Sequence, residues 1–304
     1  MFRNLLPFIR KSLIALLAAG AAWSASAADP PASPAASSAS APALGAELVK
    51  TGLYLITGGG SNSLLRLSPA GSVLIDGKLP GNYRALMSQV RKISKLSDLP
   101  VRALMVTDHH DHQIGNATQF AAAGVVLIAQ RNVKPHLPAA PAAPASSAKP
   151  PAPTVTFDRE YKLRIGGIEV NLYHFGNAPT SSAAVVHFPD LKVIAVGDLY
   201  TPDTPLPDFA GGGSLAAWGP VLEQVLKLDF DAVVPSSGPL VGRSELVAFK
   251  GKLDALVSRA TALVKQGVAR DRLLAQLKTD DLGWRLSVSA EQLDAIYADL
   301  SQAR

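Results

Sequence analysis

The sequence predicts a mixed α/β (α+β) domain with a helical carboxy-terminal segment. Short Val/Ile/Leu-rich runs bounded by turn residues alternate with helix-period patterns, and this happens on both sides of a Pro/Ala-rich stretch at residues 134–153. The last third of the chain carries apolar stripes at helical spacing instead.

Before the Pro/Ala-rich stretch, strands are expected at Leu53–Thr57, Ser63–Leu67, Ser72–Ile75, Val101–Val106 and Val125–Ala129. Helices are expected near Tyr83–Ile93 and Ala117–Ala123. After Pro153 come strands near Ile168–Tyr173, Ala184–Phe188 and Lys192–Val196, then a helix Leu215–Leu228 and a strand Ala232–Val234. Leu246, Phe249, Leu253 and Leu256 share one helical face behind Ser244. A last helix carries Leu293, Ile296, Tyr297 and Leu300, with Ser289 and Gln292 placed as a capping box. These stripes read as ordinary core. Gly58-Gly59-Gly60 and Gly211-Gly212-Gly213 read as turns, since neither sits in a P-loop pattern.

The amino terminus reads as an export signal. Arg3, Arg10 and Lys11 precede the apolar stretch Leu13–Trp23, and Ala25-Ser26-Ala27 supplies small residues for cleavage before Ala28. The apolar stretch is shorter than the roughly 20 residues of a membrane span, so no stable span is expected after cleavage. Residues 28–45, rich in Ala, Pro and Ser, read as a tether, and residues 46–304 as the folded domain with the Pro/Ala-rich loop inside it. The expected destination is the periplasm or the exterior.

There is no cysteine, which excludes disulfides, thiolate ligands and cysteine nucleophiles. The formal charge of +5 falls to +2 when the three cations of the signal leave, because no acid leaves with them. Lys and Arg are scattered and no aromatic-and-basic stripe is present, so nucleic acid is not an expected partner and a small molecule is.

The chemistry is concentrated in Thr107-Asp108-His109-His110-Asp111-His112, between the apolar run Val101–Val106 and the turn Gln113-Ile114-Gly115-Asn116. Imidazoles and carboxylates at this density suit zinc, manganese or iron. The segment resembles the His-x-His-x-Asp-His signature of the metallo-β-lactamase superfamily, usually followed by Gly-Gly-Asn. Aligned without gaps, His109, Asp111 and His112 take the second His, the Asp and the last His, and Thr107 replaces the first His.

Further landmarks follow in order over roughly residues 46–260. Asn62 and the run Ser72–Asp76 resemble the family's first strands ending in a structural Asp. Gly176-Asn177-Ala178-Pro179-Thr180 is similar to Gly-x-Ala-His-Thr, with Pro179 in place of the third His. Gly197-Asp198 matches the strand end whose Asp bridges two metals, and Pro235-Ser236-Ser237-Gly238 is similar to Pro-Gly-His-Gly, with Ser237 in place of the last His.

The resemblance implies an αββα sandwich with the site between the sheet ends, and a metal set reduced to His109, Asp111, His112 and Asp198. Asp111 and Asp198 are then the residues expected to support catalysis. Asp108, His110 and His174 are possible substitutes close by, and the Ser237 hydroxyl could support a water. A four-ligand structural zinc site is worth about 10–16 kcal/mol, so each missing ligand removes about 3 kcal/mol and a tight binuclear centre is not expected. One divalent ion (zinc, manganese or iron) or none is the expected complement. The functional expectation is a mono-metal hydrolase of esters, lactones, thioesters or β-lactams; the alternative is a non-catalytic periplasmic binding or structural protein that kept the fold.

Overall fold

The computed structural model describes residues 43–94, 99–137 and 151–302. The expected signal and nearly all of the tether lie outside these residues, as does most of the Pro/Ala-rich loop. Two sheets face each other. The first contains β1 (Gly45–Lys50), β2 (Leu53–Thr57), β3 (Ser63–Ser68), β4 (Gly71–Ile75), β5 (Val101–Met105), β6 (Val126–Gln130) and β7 (Val155–Phe157) in that spatial order. β1 to β4 pair antiparallel and β4 to β7 parallel. The second sheet runs β13 (Val241–Gly242), β12 (Ala232–Pro235), β11 (Val193–Gly197), β10 (Val185–Phe188), β9 (Ile168–Tyr173) and β8 (Glu160–Ile165).

Period-2 alternation divides each strand between two cores. Leu53, Leu55, Leu64, Val73, Ile75, Ala103 and Met105 face Val170, Leu172, Val186, Phe188, Val193 and Ala195 in the layer between the sheets. Their neighbours Ile56, Leu65, Leu74 and Leu104 turn outward against α1 (Tyr83–Ser94) and α3 (Ala117–Ala122) through Leu86, Val90 and Phe120. On the far side Val185, Ile194, Val196 and Val233 meet α5 (Leu215–Val225), α6 (Arg243–Lys265) and α8 (Ala290–Gln302) through Trp218, Leu222, Phe249, Leu253 and Leu300. This is the expected αββα sandwich. Among the described residues no helix is long and apolar enough to cross a membrane.

The helical stripes fall where the sequence places them. Leu246, Phe249, Leu253 and Leu256 are buried on α6, and Ser289 and Gln292 exchange both capping-box hydrogen bonds before α8. Four strands were not anticipated: β1, which begins at Gly45 inside the expected tether, β7, β8 and β13. The short helices α4 (Val133–His136) and α7 (Arg270–Gln276) were not anticipated either.

The parallel pairs β4/β5/β6 and β11/β12 carry their carboxyl ends to one edge of the sandwich, where α/β folds build sites. A buried polar plug fixes the loop after β4 there. Asp76 and Lys78 both have positive φ, at 57° and 66°. Lys78 is fully buried, and its Nζ donates to the carbonyls of Ile56 (2.9 Å) and Ser61 (2.6 Å). Asn116 Nδ2 donates to the carbonyls of Gly77, Lys78 and Leu79, tying the loop to the segment that follows the histidines. Left-handed backbone at non-glycine residues persists only where such bonds hold it.

Candidate metal and active site

β5 ends at Met105 and the helix turn α2 (Asp111–Ile114) starts six residues later, so residues 106–110 form the loop that presents the cluster. Thr107 is its anchor. Its N–H and its hydroxyl both donate to Asp76, at 2.8 Å each, and its carbonyl accepts from Ala184 of the other half at 2.8 Å. Gly197 has φ +55° and a Cβ there would lie 2.6 Å from Thr107 Oγ1, so glycine lets β11 approach this anchor. Burial, against two opposing bonds from Thr107, raises the Asp76 carboxyl to about 7. Thr107 thus serves the plug and does not face the site.

Asp198 follows β11 and collects four donors. Ser236 Oγ donates to its Oδ1 at short range, while Gln113 Nε2 (3.1 Å), His112 Nε2 (3.2 Å) and His110 Nδ1 (3.6 Å) approach Oδ2. Burial opposes its charge, but the bonds to His110, His112 and Ser236 outweigh that and hold the carboxyl far below the usual range. Burial likewise opposes charge on His112, and its bond to Asp198 more than offsets this, raising its pKa.

His110 is the hub. Its Nδ1 lies 3.1 Å from Asp108 Oδ2, and its Nε2 lies 3.3 Å from Asp208 Oδ2. Hydrogen bonds to Asp108 and then Asp198 raise its pKa to about 11, so without a metal it is an imidazolium among three carboxylates. His109 points to the other side. Its Nδ1 meets Ser182 Oγ at 2.8 Å, its Nε2 lies 3.5 Å from Asp208 Oδ2, and its ring stacks on His136 at 4.5 Å. Burial lowers the His109 pKa.

Among the described residues, two groups of side chains offer donor atoms close enough for one ion: His110, His112 and Asp198, and His109, His110 and Asp208. Tetrahedral zinc with bonds of about 2.0–2.1 Å sets its donors about 3.3 Å apart. The Asp198 distances of 3.2 and 3.6 Å and the Asp208 distances of 3.3 and 3.5 Å both agree, so the residues present fit a metal.

The sequence expectation and the structure part at several residues. His109, His112 and Asp198 do lie in these groups. Asp111 does not: it is exposed in the first turn of α2 and belongs to neither group. His110, expected only as a substitute, belongs to both. Around Asp198 the signature reads one residue later, with Asp108, His110, His112 and Gln113 at the His, His, Asp and His positions. Ser237 is exposed, and it is Ser236 that bonds Asp198. His174 does not swing in, because its Nδ1 lies 2.8 Å from the Ala183 carbonyl. His136 and His187 contact Ser181 and the Asp229 carbonyl. Pro179 offers its carbonyl to Asp208 N–H at 2.8 Å and lines the adjoining cleft.

Asp208 was missed. It lies between β11 and α5 in a Pro- and Gly-rich segment with no motif to mark it. Burial alone would raise its carboxyl, but the Gly211 N–H and the imidazoles outweigh this and lower it. Asp208 and His110 open on a cleft of about 670 Å³, lined also by Asp198, Leu206, Phe209, Trp218 and Glu291.

The comparisons agree with the fold. Residues 56–237 match the family description of the metallo-beta-lactamase superfamily, and the chain belongs to that superfamily. A search of curated protein sequences finds no match. Among solved structures, a metallo-beta-lactamase from Pontibacter korlensis superposes with a TM-score of 0.59 at 22% identity, covering 69% of this chain and 99% of that one. The FIM-1 metallo-beta-lactamase from Pseudomonas aeruginosa, in its mono-zinc form, gives 0.56 at 20%, covering 70% and 95%. A double mutant of the sec-alkyl sulfatase PisA1 gives 0.65 at 17%, covering 84% of this chain and 49% of that one. At these identities the likeness shows the fold.

Proposed function

We propose that this protein is an exported, metal-dependent hydrolase of small neutral or cationic acyl compounds such as esters, lactones and thioesters. The observation that carries the reading is the cleft, because it opens on the same His110, Asp198 and Asp208 that could hold an ion. A divalent ion, when bound, supplies Lewis acidity toward a carbonyl oxygen and makes hydroxide available near neutral pH. The chain supplies the rest: Asp108 and Asp198 hold the His110 ring at its Nδ1. Phe209 and Leu206 offer apolar wall against which an acyl chain can pack.

Charge narrows the substrate. Asp198, Asp208 and Glu291 line the cleft, and among the described residues no lysine or arginine does. A seated divalent ion offsets Asp198 and Asp208 and leaves Glu291 uncompensated, so carboxylate-bearing β-lactams, alkyl sulfates and phosphoesters find no cationic side chain in the cleft, whereas neutral molecules need none. A second reading, a non-catalytic binding protein, is favoured by the imidazolium of His110, which already satisfies carboxylates on both sides. A panel separates the readings. The zinc- or manganese-loaded protein is expected to hydrolyse neutral lactones and amino esters with kcat/KM at least about tenfold above carboxylate-bearing β-lactams, alkyl sulfates and phosphodiesters. Preference for the anions would sink the substrate class, and no turnover of any of them would favour the binding protein.

Export rests on the order of basic, apolar and small residues before Ala28. Mass spectrometry of the native protein is expected to find a chain beginning near Ala28 outside the cytoplasm. A soluble cytoplasmic chain with Met1 intact would end this part of the reading.

A further inference from the structure

The ion required by the proposed hydrolase has two candidate seats that share His110, and the surroundings of the two differ. At the Asp198 seat the carboxylate already accepts from Ser236, Gln113 and His112, with His110 Nδ1 3.6 Å away, so groups other than candidate ligands occupy both of its oxygens. At the Asp208 seat every other polar atom of the ligands is held by a neighbour. His109 Nδ1 meets Ser182 Oγ at 2.8 Å, His110 Nδ1 meets Asp108 Oδ2 at 3.1 Å, and Asp208 Oδ1 accepts from Gly211 N–H at 2.9 Å. This leaves His109 Nε2, His110 Nε2 and Asp208 Oδ2 facing one another. Fixing the far nitrogen of each histidine in this way is how proteins orient metal-binding imidazoles.

A third observation is the space itself. A Cβ on Gly211 would lie 2.4 Å from Asp208 Oδ2 and 2.9 Å from His109 Nε2, so glycine keeps these donor atoms clear. The loop that brings Asp208 is pinned by Asp208 N–H to the Pro179 carbonyl, Ser181 N–H to the Gly211 carbonyl and Ser214 N–H to the Ala178 carbonyl. Asp208 and His110 also line the cleft, so a fourth position faces the solvent.

We infer that this chain binds its divalent ion on His109, His110 and Asp208, with Asp108 and Asp198 acting as positioning residues for His110. Two imidazoles, one carboxylate and an open position make the donor set of a catalytic zinc site. The ion has moved from the bridging Asp198 to a carboxylate in the next loop, which accounts for the site surviving Pro179 and Ser237 at family ligand positions.

Metal analysis and calorimetry with zinc on chelator-treated protein test this. The full chain is expected to bind one equivalent, Asp208→Asn to lose affinity by about 100-fold, and His112→Ala to stay within a few-fold of the parent. Gly211→Ala removes no ligand and introduces no left-handed strain, since Gly211 is not among the positive-φ residues. It should also weaken zinc by at least about tenfold, because its Cβ displaces the Asp208 and His109 donors, while circular dichroism without metal still shows the parent's fold. If His112→Ala loses as much affinity as Asp208→Asn, or Gly211→Ala loses none, the ion sits at Asp198; this inference is then overturned while the hydrolase reading stands. A parent protein that takes up no zinc, manganese or iron overturns the metal reading together with this one.

Discussion

Replacing Asp198 by asparagine is expected to lower zinc affinity about 10–100-fold and to pull the titration of His110 down from about 11 toward its ordinary value of 6.5. The amide keeps the shape and can still accept from Ser236, but it removes the charge that the His110 and His112 rings face. Asp108 remains, so the His110 shift is partial. The sign in metal-free protein follows from the direction of that shift. The pKa of His110 is raised on folding, so its contribution to stability is complete below about 6.5 and is lost as pH rises toward 11. At pH 7 the variant should therefore be less stable than its parent, by about 1–2 kcal/mol, since hydrogen bonds to charged groups are worth about 1.5–3 kcal/mol and these side chains are about a quarter to a third exposed. Zinc calorimetry measures the first effect, and imidazole NMR titration and urea unfolding of the chelated protein measure the other two. An unchanged His110 titration would show that Asp198 does not hold the ring.

Much of this was legible in the sequence, because alternation and heptad-like stripes are read directly as burial. The strands β2 to β6 and β9 to β12 and the faces of α6 and α8 follow from that pattern. What escaped is instructive. β8 alternates Tyr161, Leu163 and Ile165 against exposed neighbours, a legible strand hidden by the Pro/Ala-rich stretch before it. The site failed differently. Spacing in a motif cannot say which way a side chain turns at a strand-to-helix junction, and here α2 starts at Asp111, which puts that carboxylate in solvent and turns His110 inward. Thr107, counted as a lost histidine, is instead the anchor of Asp76. Asp208 had no local signature. The one trace of it was the glycine run at Gly211, read as a turn, where close packing on His109 and Asp208 gives a second reason for glycine.

The plug beneath the site should make stability depend on pH in an unusual direction. Burial raises Asp76 from 3.8 to about 7, so the folded state holds a proton that the unfolded chain has released. Stability from this group is complete below about 3.8 and falls as pH rises to about 7, a loss of the order of 4 kcal/mol at 1.36 kcal/mol for each pKa unit. Lys78 acts in a separate window. Burial, only partly opposed by the charge of Asp76, lowers it from 10.5 to about 8, so stability recovers as pH rises from about 8 to 10.5. The pair together places a minimum near pH 7–8. Asp76→Asn keeps an acceptor for the Thr107 N–H and replaces Oδ2 by an amide that can donate to the Thr107 hydroxyl, so the fold of the loop should persist. The variant cannot titrate. Urea unfolding between about pH 4.5 and 6.5, below the range in which His110 adds its own pH dependence, should show the parent losing stability and the variant nearly flat, because the amide carries no titrating proton. Parallel curves would mean that Asp76 is ionised throughout, its charge met by Lys78 and Thr107, and that the plug is an ion pair.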